Sequence, residues 1–240
     1  MVKLFKQMSA SIALLACSHM ANASLITNGS FEQTTFGDST VSYGAVKNTD
    51  LADFANKQRG WDVFNIIPGW YTSYGNGIEL QKGVVTASQD GFQHIELDSH
   101  RRNGSNSMMT QTIDSLIVGE EYVLEFFYKA RTNNQNDNGI NVYWHDAAAN
   151  FDMSMDAIYA ADGIRRDTPN WQKQTVSFRA TSTSMNLSFA SFGTQNTLGG
   201  LIDNVSLNHV AQVPEPSMIA LMLLPIGFLA VRKKKAKVTS

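Results

Sequence analysis

The sequence predicts an all-β protein, a single antiparallel β-sandwich of the jelly-roll kind, with a signal peptide before it and a short apolar helix after it. Three observations carry that prediction. Apolar and polar residues alternate with a period of two through many short segments, the pattern of strands with one buried face. Clusters of Gly, Asn, Asp and Ser, such as Asn133 to Gly139, separate those segments and supply turns. Helical spacing is persuasive only over Thr49 to Lys57, where Thr49 is placed to cap and Leu51, Phe54 and Ala55 share a face. No period of about 20 to 50 residues recurs, which excludes solenoids and propellers.

Residues 1–23 read as a secretory signal. Lys3 and Lys6 form a basic start, Ile12 to Ala16 an apolar centre, and Ala21-Asn22-Ala23 a cleavage site with small residues at the required positions. A rival site exists at Leu14-Leu15-Ala16-Cys17, which resembles a lipobox and would leave Cys17 lipidated. Leucine is an unusual neighbour for that small residue, so cleavage after Ala23 is preferred. It removes the only cysteine, and the exported chain then forms no disulfide.

The body, residues 24–212, is long enough for one sandwich with a sizeable core. Twelve Lys and Arg stand against twenty Asp and Glu in residues 24–213, a net of −8 where the whole chain carries −2. That balance argues against nucleic acid and anionic membranes as partners and tolerates divalent cations. In "EYVLEFFYKA", Tyr122, Leu124, Phe126 and Tyr128 share the core-directed face. In "FQHIELDSH", Ile95 and Leu97 alternate with His94, Glu96, Asp98 and His100, which reads as a solvent-facing row. "INVYWH", "QTVSFRA", "MNLSFASF" and "GLIDNVSL" alternate in the same way.

Residues 213–240 differ abruptly from the body. Pro214, Glu215 and Pro216 precede an uncharged run, 218–231, which covers only about 21 Å of a roughly 30 Å hydrocarbon core. Arg232, Lys233, Lys234, Lys235 and Lys237 follow, the basic flank of a stop-transfer segment whose long side chains extend a short span. These three parts in order resemble the PEP-CTERM sorting signal of Gram-negative bacteria that make extracellular polysaccharide. The resemblance implies an inner-membrane anchor before processing, cleavage by exosortase, and release or transfer to the cell surface. A plain C-terminal anchor is the alternative.

Six stretches of the body carry a second resemblance: "LITNGSFEQ", "IPGW", "GFQHIELDS", "TQTIDSLIVGEEYVLEFFYKA", "WQKQTVSFRATSTSMNLSFAS" and "GGLIDNVSL". In that order they are similar to the galactose-binding-domain-like jelly rolls, and in particular to a secreted family of unknown function first noted in plant cell-wall proteins. Thr34 to Gly60 is longer than that family's pattern, and only one such domain is present. The resemblance implies that Glu32 and Asp203 lie side by side on adjacent first and last strands. They would there hold a structural Ca²⁺, or form a capped or ion-paired couple without metal.

Sugars are bound by stacking on aromatic rings while amides and carboxylates fix the hydroxyls. Trp61, Tyr71, Tyr74, Tyr143 and Trp144 are the ring candidates, with Asn141, Tyr143 and His145 expected on the outer face of one strand. The resemblance implies that Trp70 and Trp171 fall at core positions and are structural. Asp152, Asp156 and Asp162 lack the spacing of an EF-hand loop. No hydrolase elbow, zinc-protease, Walker or dinucleotide motif is present. The expectation is therefore an exported, surface-sorted, non-catalytic protein that binds carbohydrate of an extracellular or biofilm matrix. A structural adhesin and a small glycan-cleaving enzyme are its rivals.

Overall fold

A computed structural model describes residues 23–35, 48–100, 104–149 and 157–210. The signal segment up to Asn22, Asp152 and Asp156, and the sorting signal with Pro214, Glu215, Pro216 and the apolar run lie outside the described residues. Among the described residues no helix is long and apolar enough to cross a membrane.

The elements are α1 (Asn48–Asn56), β1 (Gly60–Phe64), β2 (Ile66–Ile67), β3 (Trp70–Tyr74), β4 (Ile78–Lys82), β5 (Gln93–Glu96), β6 (Met108–Ile113), β7 (Glu121–Lys129), β8 (Gly139–Asp146), β9 (Tyr159–Ala161), β10 (Gln172–Arg179), β11 (Met185–Phe192) and β12 (Leu201–His209). The strands form two antiparallel six-stranded sheets, ordered β1-β4-β5-β12-β7-β10 and β2-β3-β6-β11-β8-β9. From β5 to β8 the chain changes sheet at every strand, and β11 and β12 return to the middle of the second and first sheets. The all-β sandwich expected from the alternating segments is thus present.

Alternation decides which side chains meet between the sheets. Along β7, Tyr122, Leu124, Phe126 and Tyr128 are buried while their neighbours are partly exposed, as the sequence implied. Phe126 meets Phe189 of β11 edge to face at 5.1 Å, and Phe189 meets Trp70 of β3 at 6.0 Å, so three aromatic rings tie the layers together. The helix adds Leu51 and Phe54, both fully buried, with Phe54 edge-on to Phe64 of β1 at 5.9 Å. Its bounds sit one residue from the expected span, and the side chain of Thr49 lies outside the described residues.

The opening segment departs from the expected first strand. Residues 24–35 hold no strand, because Asn28 (φ 54°) and Phe31 (φ 61°) adopt left-handed backbone that an extended strand cannot contain. The segment still lies against β12: the Leu25 amide donates to the Leu207 carbonyl (2.8 Å), and the Val205 amide to the Gly29 carbonyl (2.9 Å). Asn28 fixes the bend, accepting from the Gln33 amide at 2.9 Å and donating to the Pro68 carbonyl at 2.9 Å. The Trp70 indole donates to the Asn28 carbonyl at 3.3 Å. The "LITNGSFEQ" and "IPGW" stretches are therefore two halves of one corner.

Candidate functional site

The outer face of the second sheet is assembled by register. Tyr71 of β3, Thr110 of β6, Ser188 of β11 and Tyr143 of β8 lie in one cross-strand row, next to a row of Thr112, Asn186 and His145. Their chain neighbours Met109, Leu187 and Val142 point into the core, so these side chains point away from it. Hydroxyls run across the face: Ser73 and Thr110 share a bond of 2.6 Å, Thr110 and Ser188 one of 2.8 Å, and Thr112 donates to Asn186 Oδ1 at 2.8 Å.

Two clefts open along β3 and β6. One, of about 180 Å³, is lined by Tyr71, Ser73, Met108, Thr110, His145 and Asn186. The other, of about 430 Å³, is lined by Tyr74, Asn76, Asn106, Phe192 and Gln195 with neighbouring glycines. A register shift between Thr72 and Tyr74 lets β3 present both tyrosines outward, at 37% and 54% exposure. Asn106 is set by accepting from the Ser191 hydroxyl at 3.0 Å and donating to the Gly193 carbonyl at 3.2 Å. The face thus offers exposed rings beside oriented amides and hydroxyls, the groups that grip a polyhydroxyl ligand.

Five of the expected ligand residues gather here, in different roles. Tyr71 and Tyr74 are exposed, whereas Tyr143 and His145 are buried. Tyr143 packs with Met108, Ala190 and Ala157 and accepts from Asn141 Nδ2 at 3.2 Å, so this group forms the floor. Trp144 is corrected: it turns inward, its ring 4.6 Å from Phe178 and its indole donating to the Arg179 carbonyl at 3.1 Å. Trp61 belongs to the other sheet, where it stacks on His100 at 4.4 Å. Asn76, Asn106, Asn186 and Gln195 were not singled out from the sequence, because they are ordinary loop and strand amides until the fold brings them together.

The reading of His94, Glu96, Asp98 and His100 as a solvent-facing row is also corrected. His94, Glu96 and Asp98 are fully buried, and only His100 reaches the surface. The period-two pattern placed them opposite the core, but the connections around residues 83–92 and 194–200 fold over that face. Gln81 Nε2 donates to Glu79 Oε1 at 2.8 Å and also to Glu96, which in addition receives Arg131. Glu96 Oε1 accepts from the Gly199 amide at 2.6 Å, and Asp98 Oδ2 from the Leu198 amide at 2.9 Å. Because the Gln81 amide nitrogen serves the acids, its oxygen faces His94 Nε2 at 3.2 Å. That nitrogen therefore donates, leaving Nδ1 to accept from Ser88 at 3.0 Å. The imidazole is held neutral: burial, with Lys129 and Arg131 nearby, lowers its pKa to about 3. Burial pushes the Glu96 carboxyl up to about 8, against the pull of Arg131. Trp171 lies over this network instead of in the core, 5.6 Å from His94 and donating to the Ala87 carbonyl at 3.0 Å.

Glu32 and Asp203 anchor the same overlying loop. Asp203 Oδ2 accepts from the Gln89 and Asp90 amides at 2.7 and 3.0 Å, and Oδ1 from the Asn204 amide at 2.7 Å. Glu32 Oε1 accepts from the Phe92 and Gln93 amides at 2.8 and 2.6 Å. Three of the four carboxylate oxygens therefore accept from N–H donors, an arrangement that caps the overlying loop. Among the described residues no group of three or more His, Cys, Asp or Glu is placed to hold a metal.

Residues 24–208 match the family described as protein of unknown function DUF642. The chain belongs to this family. Among curated proteins, this DUF642 chain is similar to the multifunctional-autoprocessing repeats-in-toxin of Vibrio vulnificus, 25% identical over 64% of the chain. The counterpart from Vibrio cholerae is 24% identical over the same share. The chain spans only 2% and 3% of those proteins' lengths. Among solved structures, a Stig cyclase from Fischerella sp. TAU aligns at TM-score 0.47 and 14% identity, covering 77% of this chain and 96% of that one. The CBM22-1 xylan-binding domain of Paenibacillus barcinonensis aligns at 0.41 and 12%, covering 64% and 94%.

Proposed function

We propose that this DUF642 domain binds carbohydrate on the outer face of its second sheet and does no chemistry on it. The observation that carries the reading is strand β3, whose exposed Tyr71 and Tyr74 stand beside clefts lined by Asn76, Asn106, Asn186 and Gln195. Rings supply stacking surface and amides supply directional bonds, with few charges to desolvate. The Gln195 side chain makes no hydrogen bond to the described residues, which leaves it available to a ligand hydroxyl. A glycan array on the full chain tests the reading. Binding that falls on Tyr74→Ala supports it, and silence on every glycan favours the structural adhesin.

The wider role is part of the same proposal. Residues 1–23 direct export, residues 213–240 act as a PEP-CTERM signal read by exosortase, and the processed protein sits at the cell surface with extracellular polysaccharide. Deleting exosortase in a producing bacterium is expected to retain the chain in the inner membrane; an unchanged surface fraction would return the tail to an ordinary anchor. Calcium at Glu32 and Asp203 is addressed by melting with and without EGTA. Their engagement with amides leads us to expect no shift.

A further inference from the structure

The opposite outer face, on the first sheet, carries a third concavity, of about 280 Å³. It is lined by Lys129, Arg131, Arg165 and Thr86, with exposed apolar walls at Val85 and Pro169. This is a concentration of positive charge on a body whose net charge is −8. Glu96 pairs with Arg131, but among the described residues no carboxylate lies within ion-pair distance of Lys129 or Arg165. Lys129 is oriented by a 2.8 Å bond to Thr86 Oγ1, and Arg131 by its bond to the Thr197 carbonyl at 3.0 Å. The backbone at Arg165 is tied to the Thr132 carbonyl at 2.7 Å. Like charges gathered around one cavity repel one another, and an anion between them removes that cost. Burial and the nearby Arg165 lower the Lys129 pKa, the electrostatic mark of the same crowding.

We infer that this cavity is a separate subsite for an acidic sugar, with Lys129 and Arg165 gripping the carboxylate of a uronic acid and Val85 and Pro169 flanking its ring. The inference rests on the carbohydrate reading of the protein and places the charged unit on the sheet opposite Tyr71 and Tyr74. A glycan that meets both faces would be a heteropolymer with neutral and acidic units. A uronate suits the cavity because its carboxylate is carried on a ring whose apolar face can meet the apolar walls; the sulfated sugar in the test separates it from larger anions.

The test is calorimetry on the full chain with a short oligoglucuronate, its methyl ester, and a sulfated oligosaccharide lacking uronate. The acid is expected to bind about tenfold or more tighter than the ester, and the preference to shrink at high salt. Lys129→Gln and Arg165→Gln are each expected to weaken the acid about tenfold, leave the ester unchanged and melt no lower than the parent. Equal binding of acid and ester, or acid binding indifferent to both variants, would overturn the subsite. Tighter binding of the sulfated sugar than of the uronate would overturn the assignment to carboxylate. If neutral oligosaccharides still bind in a Tyr74-dependent way while the acid does not, the subsite fails and the carbohydrate reading stands. If no sugar binds, both fail.

Discussion

At the scale of single residues, the most consequential groups are those whose surroundings the sequence left open. Arg131 donates to the fully buried Glu96, whose carboxyl is raised to about 8 and so stays largely protonated at neutral pH; Arg131→Met removes that donor. A loss of about 1 to 3 kcal/mol in unfolding free energy is expected by denaturant titration, and no measurable change would show that Gln81 and the Gly199 amide suffice. Gly91 sits at φ 62°, and a Cβ there would stand 2.5 Å from Glu32 Cδ. Gly91→Ala should therefore cost about 1 to 3 kcal/mol by strain and by displacing the loop anchor. The proposed binding tyrosines are expected to behave oppositely: Tyr74 is more than half exposed, and Tyr74→Ala should remove binding while leaving the melting temperature within about 2 °C. Trp144 shows that alternation outranks residue type: it falls in phase with Ile140 and Val142, opposite Asn141, Tyr143 and His145, and packs inward against Phe178 of β10.

At the scale of elements, the alternating segments were legible almost residue by residue. "MNLSFASF" is β11, and the buried positions of "EYVLEFFYKA" are those of β7, because period two with one apolar face has a single folded solution. The segment carrying His94 and Glu96 shows the limit. Alternation says which residues leave the core side, but it does not say that residues 83–92 will lie over them. That cover depends on long-range anchors, Glu32 and Asp203, which take five backbone amides between them. Two strands of the second sheet, β2 and β3, carried little signal because "IPGWYTSY" mixes a turn with exposed strand positions. Packing within the sandwich is readable in the same terms. Phe126 is fully buried against Phe189, so Phe126→Ala is expected to destabilise by about 3 to 5 kcal/mol in chemical denaturation.

At the scale of the whole molecule, the two sheets present different outer faces, one neutral and tyrosine-bearing, one charged and partly sealed under loops. The sealed face gives the fold a characteristic response to pH. Burial raises the Asp203 carboxyl from 3.8 to about 7 and the Glu96 carboxyl from 4.5 to about 8, so between about pH 4 and 8 the folded chain holds protons that the unfolded chain has released. These two groups make stability fall as pH rises through that window. His94 acts the other way, since the unfolded imidazole binds a proton below about 6.5 that the folded one refuses down to about 3, and its contribution is lost on acidification. Asp203→Asn is expected to flatten the decline between pH 4 and 7 in thermal melts, and an unaltered slope would show that Asp203 is ionised throughout. The central claim concerns the other face. It is tested most directly by titrating neutral oligosaccharides into the parent chain and into the Tyr71→Ala, Tyr74→Ala double variant. The account predicts saturable binding by the parent and none by a variant that melts at the same temperature; equal binding by both would contradict it.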